Sequence, residues 1–123
     1  MSQHTATILI IEDDPALSDA FGMMLTHGGY QTENAYNGQE ALEYLRSHTP
    51  DMIILDILMP VMDGREFLQQ FKNPMGIPIL VLSNLDAKDE IERVTELGAT
   101  RYMLKSGTTP PVLIKTVAEM IHA

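Results

Sequence analysis

A chain of 123 residues is the size of a single domain, long enough to bury a core without disulfide staples, and it has no Cys with which to make them. Eight Lys and Arg against 17 Asp and Glu leave a net charge of −9, which disfavours direct binding to nucleic-acid phosphates or to an anionic membrane surface. The longest apolar runs, Met52 to Leu55 among them, fall far short of the roughly 20 residues of a spanning helix, and the N-terminus lacks the basic-then-apolar plan of a signal peptide. A cytoplasmic acidic domain over residues 1–123 is the expectation, and a thiolate metal site or Cys nucleophile is excluded.

In chain order, the apolar pattern switches between two periods five times. The first β-rich run, Thr7–Ile11, is nearly continuous Ile and Leu, as a strand buried on both faces should be. Asp14 then offers an N-cap with Pro15 at the first helical position. Leu17, Phe21, Met24 and Leu25 form one helical stripe, ended by Gly28-Gly29. The run Gln31–Ala35 is polar enough for an edge strand, and Asn37 caps a second helix over Gln39 to Ser47 with Ala41, Leu42 and Leu45 inward. Met52–Leu55 and Pro78–Leu82 again read as buried strands. Between them a third helix runs from Gly64 to Phe71, with Phe67, Leu68 and Phe71 on one side. A fourth helix, Ala87 to Leu97, carries few apolar residues and should be loosely held; its charged face includes an i,i+4 pair, Asp89–Arg93. After a last strand, Arg101–Leu104, Thr109 and Pro110-Pro111 open a fifth helix with Leu113, Ile114, Val117 and Ile121 inward.

Five βα units on short connections imply an α/β fold, a doubly wound parallel sheet with helices on both faces. In such sheets the functional crevice lies beyond the carboxyl ends of the strands, at the point where strand order reverses. Those ends carry chemistry here. The first strand runs into Glu12-Asp13-Asp14, the third into Asp56, the fourth into Ser83 and the fifth into Lys105. With strands one and three adjacent, several carboxylates meet in one cleft, where mutual repulsion should push one of their pKa values up. A hard divalent cation would remove that penalty, and a few carboxylates plus waters is the coordination Mg²⁺ prefers. A Lys ammonium and a Ser hydroxyl beside such a cluster could stabilise a tetrahedral dianion bonded to one of the acids. Taken singly, each residue has a plainer reading: Asp14 is a helix cap, Asp56 a loop residue.

The constellation resembles the receiver domain of two-component response regulators, along essentially the whole chain from Thr7 to Ile121. The matching residues are Ile8-Leu9-Ile10-Ile11-Glu12-Asp13, Asp51 through Asp56 with Leu58-Met59-Pro60 and Asp63-Gly64, Ile79-Leu80-Val81-Leu82-Ser83, Gly98-Ala99 and Tyr102-Met103-Leu104-Lys105. The resemblance implies a flavodoxin-like sheet in the order 2-1-3-4-5 with five helices. It implies Asp56 as phosphoacceptor, taking a phosphoryl group from a sensor histidine kinase, a histidine phosphotransfer protein or a small phosphodonor. It implies Mg²⁺ held by Asp13, Asp56 and the Leu58 carbonyl, with Glu12 acting through water. Lys105 and Ser83 would hold phosphoryl oxygens, and Tyr102 takes the position of the switch aromatic. A phosphoryl group on Asp56 would draw Ser83 inward and let Tyr102 fill the vacated volume, shifting a pre-existing equilibrium. The output surface would be the fourth helix with the fifth strand and helix, meeting an output partner or effector domain, with homodimerisation among the arrangements allowed. Such a domain is no enzyme beyond its own phosphoryl transfer and dephosphorylation. The apolar Leu58 and Leu85 flank the approach of an attacking water and cannot orient it, so phosphate loss should be slow.

The chain departs from the family twice. Asn84 follows Ser83 where a small residue is usual, and Ser106 follows Lys105 where the family has a cis proline. A cis bond before Ser costs about 2.5–4 kcal/mol, so the Lys105–Ser106 peptide is expected to be trans with a reshaped loop. These departures also motivate a competing reading, a phosphorylation-independent binding module of the same fold. Flavin binding lacks its phosphate loop after the first strand, and a dehalogenase-type phosphatase lacks a second aspartate two residues beyond Asp56. His4, His27, His48 and His122 share no ligand spacing, and most of the nine Met residues fall at core-type positions. The chain stops just after the fifth helix, which fits a stand-alone receiver or one carved from a longer protein.

Overall fold

The computed structural model describes residues 5–84 and 87–122. Five parallel strands, β1 (Thr7–Ile11), β2 (Gln31–Ala35), β3 (Met52–Leu55), β4 (Ile79–Ser83) and β5 (Arg101–Leu104), form one sheet in the order β2-β1-β3-β4-β5. The five helices are α1 (Pro15–His27), α2 (Gly38–Leu45), α3 (Gly64–Phe71), α4 (Lys88–Glu96) and α5 (Pro110–Ile121). This is the doubly wound order anticipated from the sequence. The strand order reverses between β1 and β3, so the crevice sits over their carboxyl ends.

The alternating strand side chains feed two cores. On one face Leu9, Ile11, Ile53, Leu55, Ile79 and Val81 pack with Phe67 and Leu68 of α3 and Val94 of α4. On the other, Ile8, Ile10, Met52, Ile54, Leu80 and Leu82 pack with Phe21 and Leu25 of α1 and Leu113, Val117 and Met120 of α5. Both faces are covered, which is why β1, β3 and β4 are unbroken apolar runs. The edge strand β2 keeps only Ala35 buried.

Local chemistry sets the helix ends. Asp14 accepts from the Ala16 and Leu17 amides at 3.0 and 3.4 Å, Asn37 from Glu40 and Asp63 from Glu66, both at 2.9 Å. Several details differ from the sequence expectation. Strand β4 starts one residue later and includes Ser83, because Pro78 has no N–H for the ladder. The buried stripe of α5 is Leu113, Thr116, Val117 and Met120, with Ile114 and Ile121 only half-buried. Thr116 can enter the core because its hydroxyl donates to the Val112 carbonyl at 2.8 Å. On α4 it is Lys88 that approaches Glu92, at 3.9 Å, rather than Asp89 approaching Arg93. Asp89 lies in the first turn, beside free helix amides, where a carboxylate is already favoured. Of the methionines, Met23 and Met75 are exposed rather than in the core.

Helix α4 is the least embedded of the five, with Val94 its one fully buried residue among those described. An ion pair from Arg65 of α3 to Glu90, 3.3 Å, supplements that anchor.

The loop from β3 to α3 contains a strained turn. Met62 donates its N–H to the Pro60 carbonyl at 2.7 Å, closing a three-residue γ-turn around Val61, whose φ is 68°. A β-branched residue there pays a steric penalty of roughly 1–2 kcal/mol. Val61 is 80% exposed, so its side chain returns little by burial. Val61→Gly should therefore stabilise the fold, by about 1 kcal/mol after the extra unfolded-state entropy of Gly, and raise the thermal midpoint by a few degrees. A lower midpoint would show that the Val61 side chain contributes packing that outweighs the strain.

Candidate functional site

Register brings the acidic residues together. Ile11 of β1 pairs with Leu55 of β3, so the next residues, Glu12 and Asp56, leave the sheet side by side. Their backbone is fixed by two further ladder bonds, Glu12 N–H to the Ala35 carbonyl and Asp56 N–H to the Ile11 carbonyl, both 3.0 Å. On the other side, Ser83 pairs with Leu104, which places Lys105 one step beyond the end of β5.

Glu12, Asp13, Asp14, Leu17, Asp56, Leu58, Ser83, Asn84 and Lys105 line one cleft of about 390 Å³ over these strand ends. Every catalytic and metal residue expected from the sequence is on that wall. Tyr102, the expected switch aromatic, is a half-buried residue of β5 opposite Val81. Leu85 lies outside the described residues, as does His4; Leu58 is 58% exposed at the rim. Leu17 was assigned to the core stripe of α1 alone, yet it also forms part of the cleft wall, one turn into the helix that Asp14 caps. A larger hollow of about 600 Å³ lies between α1 and β2, but among the described residues only Glu12, Asp13 and Asp56 form a cluster of three acids.

Lys105 is the centre of the electrostatics. Its ammonium donates to Glu12 Oε1 at 2.7 Å and lies 3.2 Å from Asp56 Oδ1. Asp14 donates its backbone N–H to Glu12 Oε2 at 3.2 Å. Burial pushes the Asp56 carboxyl above its ordinary range; the Lys105 charge and hydrogen bond pull it back, and the Asp13 charge adds to the rise. Glu12 is also raised, again chiefly by burial, against the opposing pull of Lys105 and the Asp14 amide. The direction is the one expected from clustered acids, but the main cause differs: desolvation of each carboxyl exceeds their mutual repulsion, and Lys105 offsets part of both. Burial alone would lower Lys105, yet the Glu12 hydrogen bond and the charges of Asp56 and Glu12 overcome it and hold the ammonium above its usual value.

Carboxylate oxygens of Glu12, Asp13 and Asp56 all lie within 4.8 Å of one another. That donor set is hard oxygen throughout, carries more negative charge than one Lys can balance and opens to a solvent-filled cleft, so it fits Mg²⁺. All described peptide bonds are trans, Lys105–Ser106 included, and residues Lys105–Gly107 form one turn of 3₁₀ helix.

Comparison with known proteins agrees with this geometry. Residues 8–118 match the response regulator receiver domain family. The chain is 38% identical over 100 residues to a probable transcriptional regulator, ycf27, of Cyanidium caldarium, covering 80% of this chain and 39% of that protein. It is 37% identical over 99 residues to the response regulator MprA of Mycobacterium ulcerans, covering 80% and 43%. The chain thus spans less than half the length of these curated relatives. Among solved structures, the signal receiver domain of a signal transduction histidine kinase from Syntrophus aciditrophicus superposes with a TM-score of 0.86 at 34% identity, over 96% of this chain and 91% of that one. A CheY-like receiver domain protein from Methanospirillum hungatei gives 0.90 at 25% identity, over 97% and 95%. No helix among the described residues is long and apolar enough to cross a membrane. With the sheet order, the acidic cleft and the family match in agreement, the chain belongs to the receiver domains of two-component response regulators, which are phosphorylation-dependent signalling switches rather than classical enzymes.

Proposed function

We propose that residues 1–123 act as one receiver unit in which Asp56 accepts a phosphoryl group from a histidine kinase or histidine phosphotransfer protein. The observation that carries this reading is the convergence of Asp56, a second and third carboxylate, and Lys105 on one cleft. In the transfer, an Asp56 oxygen forms a bond to phosphorus while the bond from phosphorus to the donor's imidazole nitrogen or acyl oxygen breaks, and the electron pair leaves with the donor. Asp13, Asp56 and the Leu58 carbonyl would hold Mg²⁺, with Glu12 acting through a water, and the bound ion would supply neutralisation of charge on the phosphoryl oxygens. Lys105 favours the ionised form of Asp56 and would then follow the phosphoryl oxygens, which have the greater charge. Ser83, buried at the end of β4, donates its hydroxyl to another of them. Ser83 and Tyr102 lie on adjacent strands, so an inward shift of one changes the volume open to the other. The output surface is α4, β5 and α5, which meets an effector domain or separate partner in the cytoplasm; α4, anchored by Val94 and the Arg65–Glu90 pair, is the element most easily displaced.

Incubation with Mg²⁺ and acetyl phosphate, read by intact-protein mass spectrometry, tests the reading. The expected result is a gain of one phosphoryl group by the wild type, absent without Mg²⁺ and absent in Asp56→Asn. No gain by the wild type under any condition would overturn phosphorylation and leave the phosphorylation-independent binding module.

A further inference from the structure

Lys105 reaches two carboxylates from a piece of chain with little to hold it. The turn Lys105–Gly107 buries no residue and its first amides receive no side-chain cap. Ser106 and Gly107 are exposed. What does hold it is one residue further on. The Thr108 hydroxyl donates to the Leu104 carbonyl at 2.8 Å, and the Thr108 N–H donates to the Lys105 carbonyl at 3.1 Å. Both carbonyls that bracket the Lys105 Cα are therefore tied to the same residue, and these two peptide planes set the direction in which the Lys105 side chain leaves the backbone. Capping of α5 does not consume this hydroxyl, because Thr109 caps that helix by accepting from the Val112 amide at 3.4 Å.

We propose that Thr108 is a positioning residue for Lys105, its hydroxyl bracing the turn so that the ammonium stands ready for the phosphoryl group on Asp56. This rests on the phosphoacceptor reading above. Removing the brace leaves Lys105 with its charge and reach but a wider range of directions. A misplacement of about 1 Å can cost a hundredfold in rate, and a slackened rather than displaced ammonium should cost roughly tenfold.

The test compares phosphorylation rates with acetyl phosphate and Mg²⁺ for the wild type, Thr108→Val and Thr108→Ser. Valine keeps the shape and loses the hydroxyl; serine keeps the hydroxyl. The expected result is a roughly tenfold slower rate in Thr108→Val, a near-normal rate in Thr108→Ser, and Mg²⁺ affinity unchanged in both. The decisive arm is the cycle with Lys105→Met, in which Thr108→Val should add nothing to the loss already present. A wild-type rate in Thr108→Val overturns the inference and leaves the function standing. An equal slowing in the Lys105→Met background also overturns it, by showing a general structural role. Failure of the wild type to take up phosphate sinks the function itself. Should Thr108→Val not fold, Thr108→Ala against Thr108→Ser reads the same hydroxyl.

Discussion

Gly64→Ala should destabilise the protein by about 3 kcal/mol, the upper end of what overpacking costs, and lower its thermal midpoint by roughly 10–20 °C. Gly64 opens α3, and the Asp63 side chain caps the helix one residue before it. A Cβ at Gly64 would stand 2.6 Å from the Asp56 carbonyl oxygen and 2.9 Å from the Ile57 Cα. Both obstacles are backbone, so no rotamer change clears them. The same stretch is tied down by the Gly64 N–H, which donates to the Ile57 carbonyl at 2.8 Å. Relief requires α3 to move away from the chain just after β3, which opposes the burial of Phe67 and Leu68 on the sheet. The strain falls on Asp56 and Ile57, the proposed phosphoacceptor and the start of the loop proposed to ligate the metal, so Mg²⁺ affinity should fall along with stability. Thermal unfolding and a Mg²⁺ titration of the folded fraction check both. A midpoint within two or three degrees of wild type would mean that the α3 start yields more easily than the packing of Phe67 suggests.

The sequence revealed the parts whose signal is periodic or terminal. β1, β3 and β4 were legible because a strand buried on both faces must be apolar throughout, and Glu12, Asp56 and Ser83 stood out because each breaks such a run at its carboxyl end, while Lys105 stood out only as the residue that follows β5. What stayed hidden depends on backbone hydrogen bonds or on satisfied polar groups. Thr116 looked polar and was left off the inward face of α5; only its bond to the Val112 carbonyl makes burial affordable. Nothing in Pro60-Val61-Met62 announces a γ-turn, since Val is among the residues least suited to positive φ. Thr108 carries no signal in the sequence, because the carbonyls it braces are set by the path of the chain and not by residue type. Likewise the raised carboxyls were foreseen in direction but assigned to repulsion, since burial of Asp56 to 7% exposure cannot be counted before the fold is known.

Asp56→Asn should abolish phosphoryl uptake and at the same time make the protein free of divalent ions more stable. The two effects share one cause. In the fold, burial disfavours the ionised Asp56 carboxylate more than Lys105 favours it, so its pKa stands above that of the unfolded chain. A group shifted that way binds protons more tightly folded than unfolded, and its contribution to stability is lost as pH rises through the folded value. At neutral pH the wild type therefore bears the cost of a buried charge that a neutral amide of the same shape escapes. Lys105 is not orphaned by the change, because it keeps its 2.7 Å bond to Glu12. A gain on the order of 1 kcal/mol, a few degrees in midpoint, is the expected size. Below the acid range, where Asp56 is protonated in both states, the difference should vanish. Excess Mg²⁺ should reverse the order, since a ligand of the folded state stabilises by RT ln(1 + [Mg²⁺]/Kd) and the variant, having lost one of three clustered carboxylates, has the higher Kd. Midpoints of both proteins with EDTA and with excess Mg²⁺, at neutral and at acid pH, give the full comparison. If the variant is the less stable of the two in EDTA at neutral pH, the Asp56–Lys105 pair outweighs the burial of its carboxylate, and the site is not held at a cost that the metal relieves.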